Sequence, residues 1–420
     1  MLKKILNNSL WLLIGSSIGR LSIFLANIVA ARILPQEVFG QFMMLRSTIS
    51  SIEAIVSGSL GSSVIKKVAS SKKEELHHVL IAIFLTNTVI ALFLSILIVL
   101  FSPFLVQHFF MGNLAFTNIL YLGIFILIPT TLATMIQNIL IGFESYKTLA
   151  YSSILSSSIS FPIIYIFILY FHLKGAIIGI GLYFSIDFGI KLFNFLKFYT
   201  DRRLFNFQKV FREIKKLIVF SSPLLFSVII VSISFWYIRV LTINDSQSFK
   251  TIAIFDAAFQ WLSIIMLITS ATTSSVLPAL SKNLENTFKL KKIFKINLVA
   301  NLFISIFIAF VFIFFSKNIM SLYGHDYIKG YLDLVYLSVA SVFFTVATIY
   351  NRYMVSTNNL WVIAIVTVMS AFVLFLTYFM QVVPQDSNLS FSVLMYYLTS
   401  SIIYFFIKIY FDFKDAKCIK

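Results

Sequence analysis

The 420-residue chain is 59% hydrophobic and only 12% charged, with a mean hydropathy of +0.95, so it has too few polar side chains to cover a soluble globule. Its net charge of +17 is spread over short segments beside apolar runs rather than gathered in a basic domain with interleaved aromatics, which argues against a nucleic-acid partner and for anionic lipid headgroups. The single cysteine, Cys418, excludes an intramolecular disulfide and sits one residue short of a prenylation box. The five histidines (His77, His78, His108, His172, His325) lack metal-ligand spacing and read as solvated or headgroup-facing, so neither a metal nor another cofactor is expected.

Taken in chain order against the roughly 20 residues that a spanning helix needs, the apolar stretches predict twelve spans. These run over 9–33, 39–65, 77–101, 117–141, 148–171, 176–197, 217–241, 251–278, 293–316, 333–355, 360–382 and 390–411. The opening Lys3-Lys4 before an apolar run has the look of a secretory signal, but Arg20 interrupts that run, and the reading is a retained first span. With the N-terminus inside, most of the 33 basic residues fall on the same face: Lys66 to Lys73, Lys197 to Lys216, Lys282 to Lys295 and the tail from Lys408. Both termini are therefore expected in the cytoplasm.

The longest polar connection divides the chain into a six-helix lobe at 1–200, a basic cytoplasmic linker at 201–216 and a second six-helix lobe at 217–420. Three weak matches keep the same order in both halves. Arg32-Ile33-Leu34 pairs with Arg239-Val240-Leu241, Gly40-Gln41-Phe42 with Ala253-Ile254-Phe255, and Ser62-Ser63-Val64-Ile65 with Ser274-Ser275-Val276-Leu277. They predict parallel repeats, hence an all-α membrane protein with two lobes around a central cavity.

Polar residues recur at helical spacing in spans 1, 2, 7 and 8. The sets are Ser9, Ser16, Arg20 and Asn27; Arg46, Ser50, Glu53 and Ser57; Ser221, Ser232 and Arg239; and Asp256, Gln260, Ser263, Ser270 and Ser274. Serines alone fit close helix packing equally well. Charges shift the balance, because a charged group at the bilayer centre costs about 3 kcal/mol and so faces water or a partner. Counting along the helices puts Arg20 and Asp187 near the midplane and Arg46 about 10 Å below the outer face. Arg239, Arg352 and Lys408 are close enough to span ends to snorkel. Asp187 and Lys191, one turn apart, neutralise each other most simply. Arg20 has no opposite charge on its own helix, which leaves Glu53 or an anionic ligand as its partner. Intramembrane charges of this kind indicate transport. No GxxxxGK[ST] loop is present for nucleotide hydrolysis, and no large external loop of the sort a membrane polymerase or ligase would need.

The stretch Ala31-Arg32-Ile33-Leu34-Pro35-Gln36-Glu37-Val38-Phe39-Gly40 resembles the ARxLGPxxFG junction of Wzx-type oligosaccharide flippases, members of the MOP (MATE-like) exporter superfamily. Val276-Leu277-Pro278-Ala279-Leu280-Ser281 is similar to their xxLPxLS helix end, while Gln36 departs from the usual junction and Ile238 precedes Arg239 where many relatives carry an acid. The resemblance implies a non-enzymatic flippase in a bacterial cytoplasmic (inner) membrane. It would carry an undecaprenyl-diphosphate-linked oligosaccharide, an O-antigen or capsule unit, to the outer leaflet by alternating access. Arg20, Arg46, Asn27 and Arg239 are then the candidate substrate contacts. Glu53, Asp256, Asp187 and Lys191 are candidates for proton or sodium coupling or for charge balance. Membrane lipids, and the polymerase and chain-length machinery, are the implied partners. A cation-coupled multidrug exporter of the same superfamily would prefer an acid-lined cavity, and the third alternative is a non-transport membrane subunit of a polysaccharide assembly complex.

Overall fold

A computed structural model describes residues 2–55, 59–71, 73–110, 112, 114–199, 206–282, 287–357 and 359–418. These residues are almost wholly helical, as a chain in lipid requires, since only helices satisfy every backbone group within one apolar segment. The helices are α1 (Leu2–Ile33), α2 (Gln36–Glu53), α3 (Ser59–Ser70), α4 (Lys73–Phe109), α5 (Leu114–Gly142), α6 (Tyr146–Phe198) and α7 (Phe207–Ser246). There follow α8 (Lys250–Lys282), α9 (Thr287–Phe314), the short α10 (Ser316–Ser321), a 3-10 turn at His325–Gly330, α11 (Tyr331–Ser356), α12 (Leu360–Met380) and α13 (Gln385–Cys418). Among the described residues, nine helices are long and apolar enough to cross a membrane, and the protein is a multi-pass, all-α membrane protein.

Three of the predicted spans need comment. Over the second, α2 ends at Glu53 and passes into a π turn at Ala54 and Ile55, α3 starts at Ser59, and 56–58 lie outside the described residues. Span 2 crosses a Ser57-Gly58-Ser59-Leu60-Gly61 stretch whose helix propensity is poor. Spans 5 and 6 have no loop between them. The backbone of α6 stays helical except at His172, where φ is 49° and ψ is −123°, and the chain folds back on itself there. Contacts across the fold-back are tight enough that a Cβ on Gly175 would lie 1.8 Å from the Phe167 carbonyl oxygen.

The chain forms two compact units, Leu10–Ala253 and Met1–Ser9 with Ile254–Lys420. In the first, α5 packs on α2, α3, α4 and α6, and α7 packs on α2, α3 and α4. The core there includes Val64, Val79, Ile83, Ile136, Leu140, Phe195 and Leu217. α7 starts at Phe207, inside the stretch read from sequence as a linker, and 201–205 of that stretch lie outside the described residues. In the second unit α11 packs on α9 and α13, and α12 on α13. Hydroxyl bonds tie these helices: Thr269 to Thr345 (3.0 Å), Thr272 to the Asn301 amide oxygen (2.6 Å) and Ser400 to Ser370 (2.7 Å).

The motif at the α1–α2 junction has a structural job in the first unit. Glu37 accepts from the Ser248 hydroxyl (2.7 Å) and the Phe249 backbone N–H (3.0 Å), so it holds the start of α8. Gly40 lies against the Phe249 carbonyl, where a Cβ would come within 2.0 Å. Phe249 in turn is fully buried and stacks on Phe116 with ring centroids 5.6 Å apart.

Candidate functional site

Inside the Leu10–Ala253 unit a polar network runs through otherwise apolar helices. Its most buried part is an ion pair on the second arm of α6, between Lys191 Nζ and Asp187 Oδ2 at 2.5 Å, with the two side chains almost wholly excluded from solvent. Spacing of one helical turn brings them together. Ser156, on the first arm of α6, donates to Asp187 Oδ1 at 2.9 Å, a contact that the fold-back at His172 makes possible. Lys191 also donates to Gln137 Oε1 on α5 at 3.2 Å.

α5 carries the network onward. Thr134 lies one turn before Gln137 on the same face and donates to Glu53 Oε1 on α2 at 3.0 Å. Glu53 lies near enough to the Arg20 guanidinium of α1 for their opposite charges to attract. Arg20 itself is exposed. Higher on the same two helices, Arg46 donates to Asn27 Oδ1 at 2.7 Å, and its guanidinium carbon sits 5.9 Å from the Phe42 ring centroid. α1, α2, α5 and α6 thus bring together Arg20, Asn27, Arg46, Glu53, Asp187 and Lys191. Three of these side chains are cationic and two are carboxylates, which leaves one positive charge in excess.

Arg239 is buried and donates to the Phe235 carbonyl oxygen at 2.8 Å, and Lys408 is buried with its ammonium 5.1 Å from the Phe294 ring and 5.3 Å from the Tyr353 ring. The expectation that these two snorkel is therefore corrected: a carbonyl in one case and aromatic faces in the other supply the partner that headgroups would have supplied. His78 is likewise buried rather than solvated, packed edge-on against His77 at 5.8 Å. Asp256 is buried near the start of α8 in the second unit. Ser57 and the side chains of Ser9, Ser16, Ser221 and Ser274 lie outside the described residues.

Sequence reading missed several members of the network. Thr130, Thr134 and Gln137 recur at spacings of four and three in span 4, the same pattern that marked span 2, and this signal was available. Outside that network, in the second unit, Asp333 was missed because it opens its span and looks like an interfacial residue. It is 2% exposed, and the Ser390 hydroxyl of α13 donates to it at 2.5 Å.

The fold is that of the MATE transporters of the MOP superfamily. The inward-facing multidrug resistance MATE family transporter of the MOP superfamily superposes with a TM-score of 0.72 over 92% of this chain and 93% of its own, at 14% identity. An outward-facing form gives 0.71 over 96% and 94% at 16% identity, and the eukaryotic MATE transporter AtDTX14 gives 0.73 over 97% and 95% at 13% identity. The chain belongs to the polysaccharide biosynthesis protein family, whose profile matches residues 5–284, in agreement with the Wzx-type resemblance of its motifs. No curated protein matches the sequence.

Proposed function

We propose that this protein flips a polyprenyl-diphosphate-linked oligosaccharide from the inner to the outer leaflet of a bacterial cytoplasmic membrane, by alternating access of two six-helix lobes and with both termini in the cytoplasm. The observation that carries this reading is the gathering of Arg20, Arg46 and Lys191 with Glu53 and Asp187 on apolar helices of one unit. Guanidinium forms bidentate bonds to phosphate oxygens, Arg46 is already oriented by Asn27, and Glu53 balances Arg20 when no substrate is bound. The polyprenyl chain remains in lipid, where it costs nothing to keep.

Directional movement without a nucleotide site draws on an ion gradient, and Glu53 is the first candidate to take up the ion, with Asp256 the second. Arg20→Ala removes the charge that meets the diphosphate, and a charged hydrogen bond of about 2 kcal/mol corresponds to a loss of roughly thirtyfold. Surface polysaccharide falls accordingly at unchanged protein level, and Arg20→Lys recovers part of it. Normal surface polysaccharide in Arg20→Ala defeats the assignment, and active efflux of organic cations by the purified protein would move it to the multidrug class. In liposomes bearing lipid-linked oligosaccharide, an imposed proton or sodium gradient speeds flipping by the wild type and not by Glu53→Gln.

A further inference from the structure

The first turns of α7 carry three distinct faces. Asn206 caps the helix by accepting from the Lys209 N–H at 3.1 Å, and from there Val210, Glu213 and Leu217 are buried against α3, α4 and α5. Glu213 bridges Lys67 of α3 at 2.7 Å and Lys216 at 2.8 Å, so those two cations share one carboxylate within the protein. At 100° per residue, Phe207, Phe211 and Ile218 share a second sector, and all three are exposed, the two phenylalanines by 69% and 61%. Their rings stack at 6.5 Å. The third sector holds Lys209 and Arg212, with Lys215 between it and the phenylalanines, and all three are exposed.

One backbone hydrogen bond is missing between this segment and the span that follows. Pro223 cannot donate to the Val219 carbonyl, and the Ser222 hydroxyl takes that acceptor instead at 3.0 Å. The helix is thus continuous in hydrogen bonding but has a pivot just where the apolar span Ser222–Ser246 begins.

We propose that residues 207–219 are an interfacial helix that binds anionic phospholipid of the adjoining leaflet. Phe207, Phe211 and Ile218 enter the acyl boundary, and Lys209, Arg212 and Lys215 hold headgroup phosphates. An apolar stripe beside a cationic one matches a bilayer surface, which offers hydrocarbon and negative charge within a few ångströms of each other. Nucleic acid offers the charge and no place for the phenylalanines. Lipid bound there fixes the lever ahead of Pro223 and so sets the inclination at which α7 enters the membrane.

The test uses the full-length protein in a Cys418→Ser background, in nanodiscs of phosphatidylglycerol or of phosphatidylcholine. Spin labels at Phe207→Cys and Gln208→Cys lie at the same height and about 100° apart. In phosphatidylglycerol discs the label at 207 is reached by oxygen and shielded from a water-soluble nickel complex, and the label at 208 shows the reverse. In parallel, native mass spectrometry of the detergent-purified protein titrated with each lipid compares the wild type with Lys209→Gln/Arg212→Gln/Lys215→Gln. Three cations near an anionic surface correspond to roughly a hundredfold in phosphatidylglycerol affinity, with phosphatidylcholine unchanged. Equal nickel access at 207 and 208 overturns the proposal and makes the face a protein-docking surface. Undiminished phosphatidylglycerol affinity in the triple variant overturns it as well.

Discussion

Lys191→Met turns the buried ion pair of α6 into a test of what the charges in this fold are for. Asp187 would keep only the Ser156 hydroxyl, at 2.9 Å, in a position that is 5% exposed. Breaking one side of a buried pair costs about 3–5 kcal/mol, because the remaining charge has neither water nor a partner. Replacing both members with apolar residues of similar volume, as in Asp187→Leu/Lys191→Met, is often neutral or stabilising. The double variant is therefore expected to melt near the wild type and each single variant far below it, read as the surviving monodisperse peak after heating in detergent. If the double variant loses as much as the two single losses added, the residues are not a unit and the pair is not what stabilises α6. Surface polysaccharide then separates the two possible roles. Delivery that survives in the double variant makes the pair a charge-balancing element, and delivery that fails in a stable double variant makes it part of the coupling path.

Three further outcomes follow from the same geometry. Glu37→Gln weakens two bonds to Ser248 and Phe249, and since bonds to charged groups contribute about 1.5–3 kcal/mol each the purified protein should melt measurably lower. Gly40→Ala should be worse, because the Phe249 carbonyl oxygen stands 2.0 Å from the added Cβ, and its yield of folded protein on size-exclusion chromatography reports this. At Glu213 burial acts to raise the carboxyl pKa, but hydrogen bonds from Lys216 and Lys67 and their charges outweigh it and hold the group below the ordinary glutamate range. That contribution is full above the unfolded glutamate pKa and is lost as pH falls through the folded one, so acid melts of Glu213→Gln should show a smaller decline than the wild type.

The helices were legible because lipid imposes one rule on every segment, and composition alone reveals which segments obey it. The reversal at His172 was legible too, since the spans at 148–171 and 176–197 leave only 172–175 between them. What was not legible was that the chain turns there without a loop, which the close approach of Gly175 to Phe167 makes possible. The end of α2 at Glu53 was hidden because apolar content continues past it, so hydropathy sees one span where α2 gives way to a π turn.

For the site, spacing identified charges on single helices but could not assign partners across helices. The Asp187–Lys191 pair was readable because both members lie on one helix. Arg46 with Asn27, Glu53 with Thr134 and Lys191 with Gln137 each join residues from different helices, and which faces meet is set by packing. That packing also decides the charge balance. Thr134 and Gln137 supply neutral bonds to Glu53 and Lys191. Both carboxylates of the network thus have donors within the unit, and the proposed diphosphate would add its negative charge to Arg20 and Arg46.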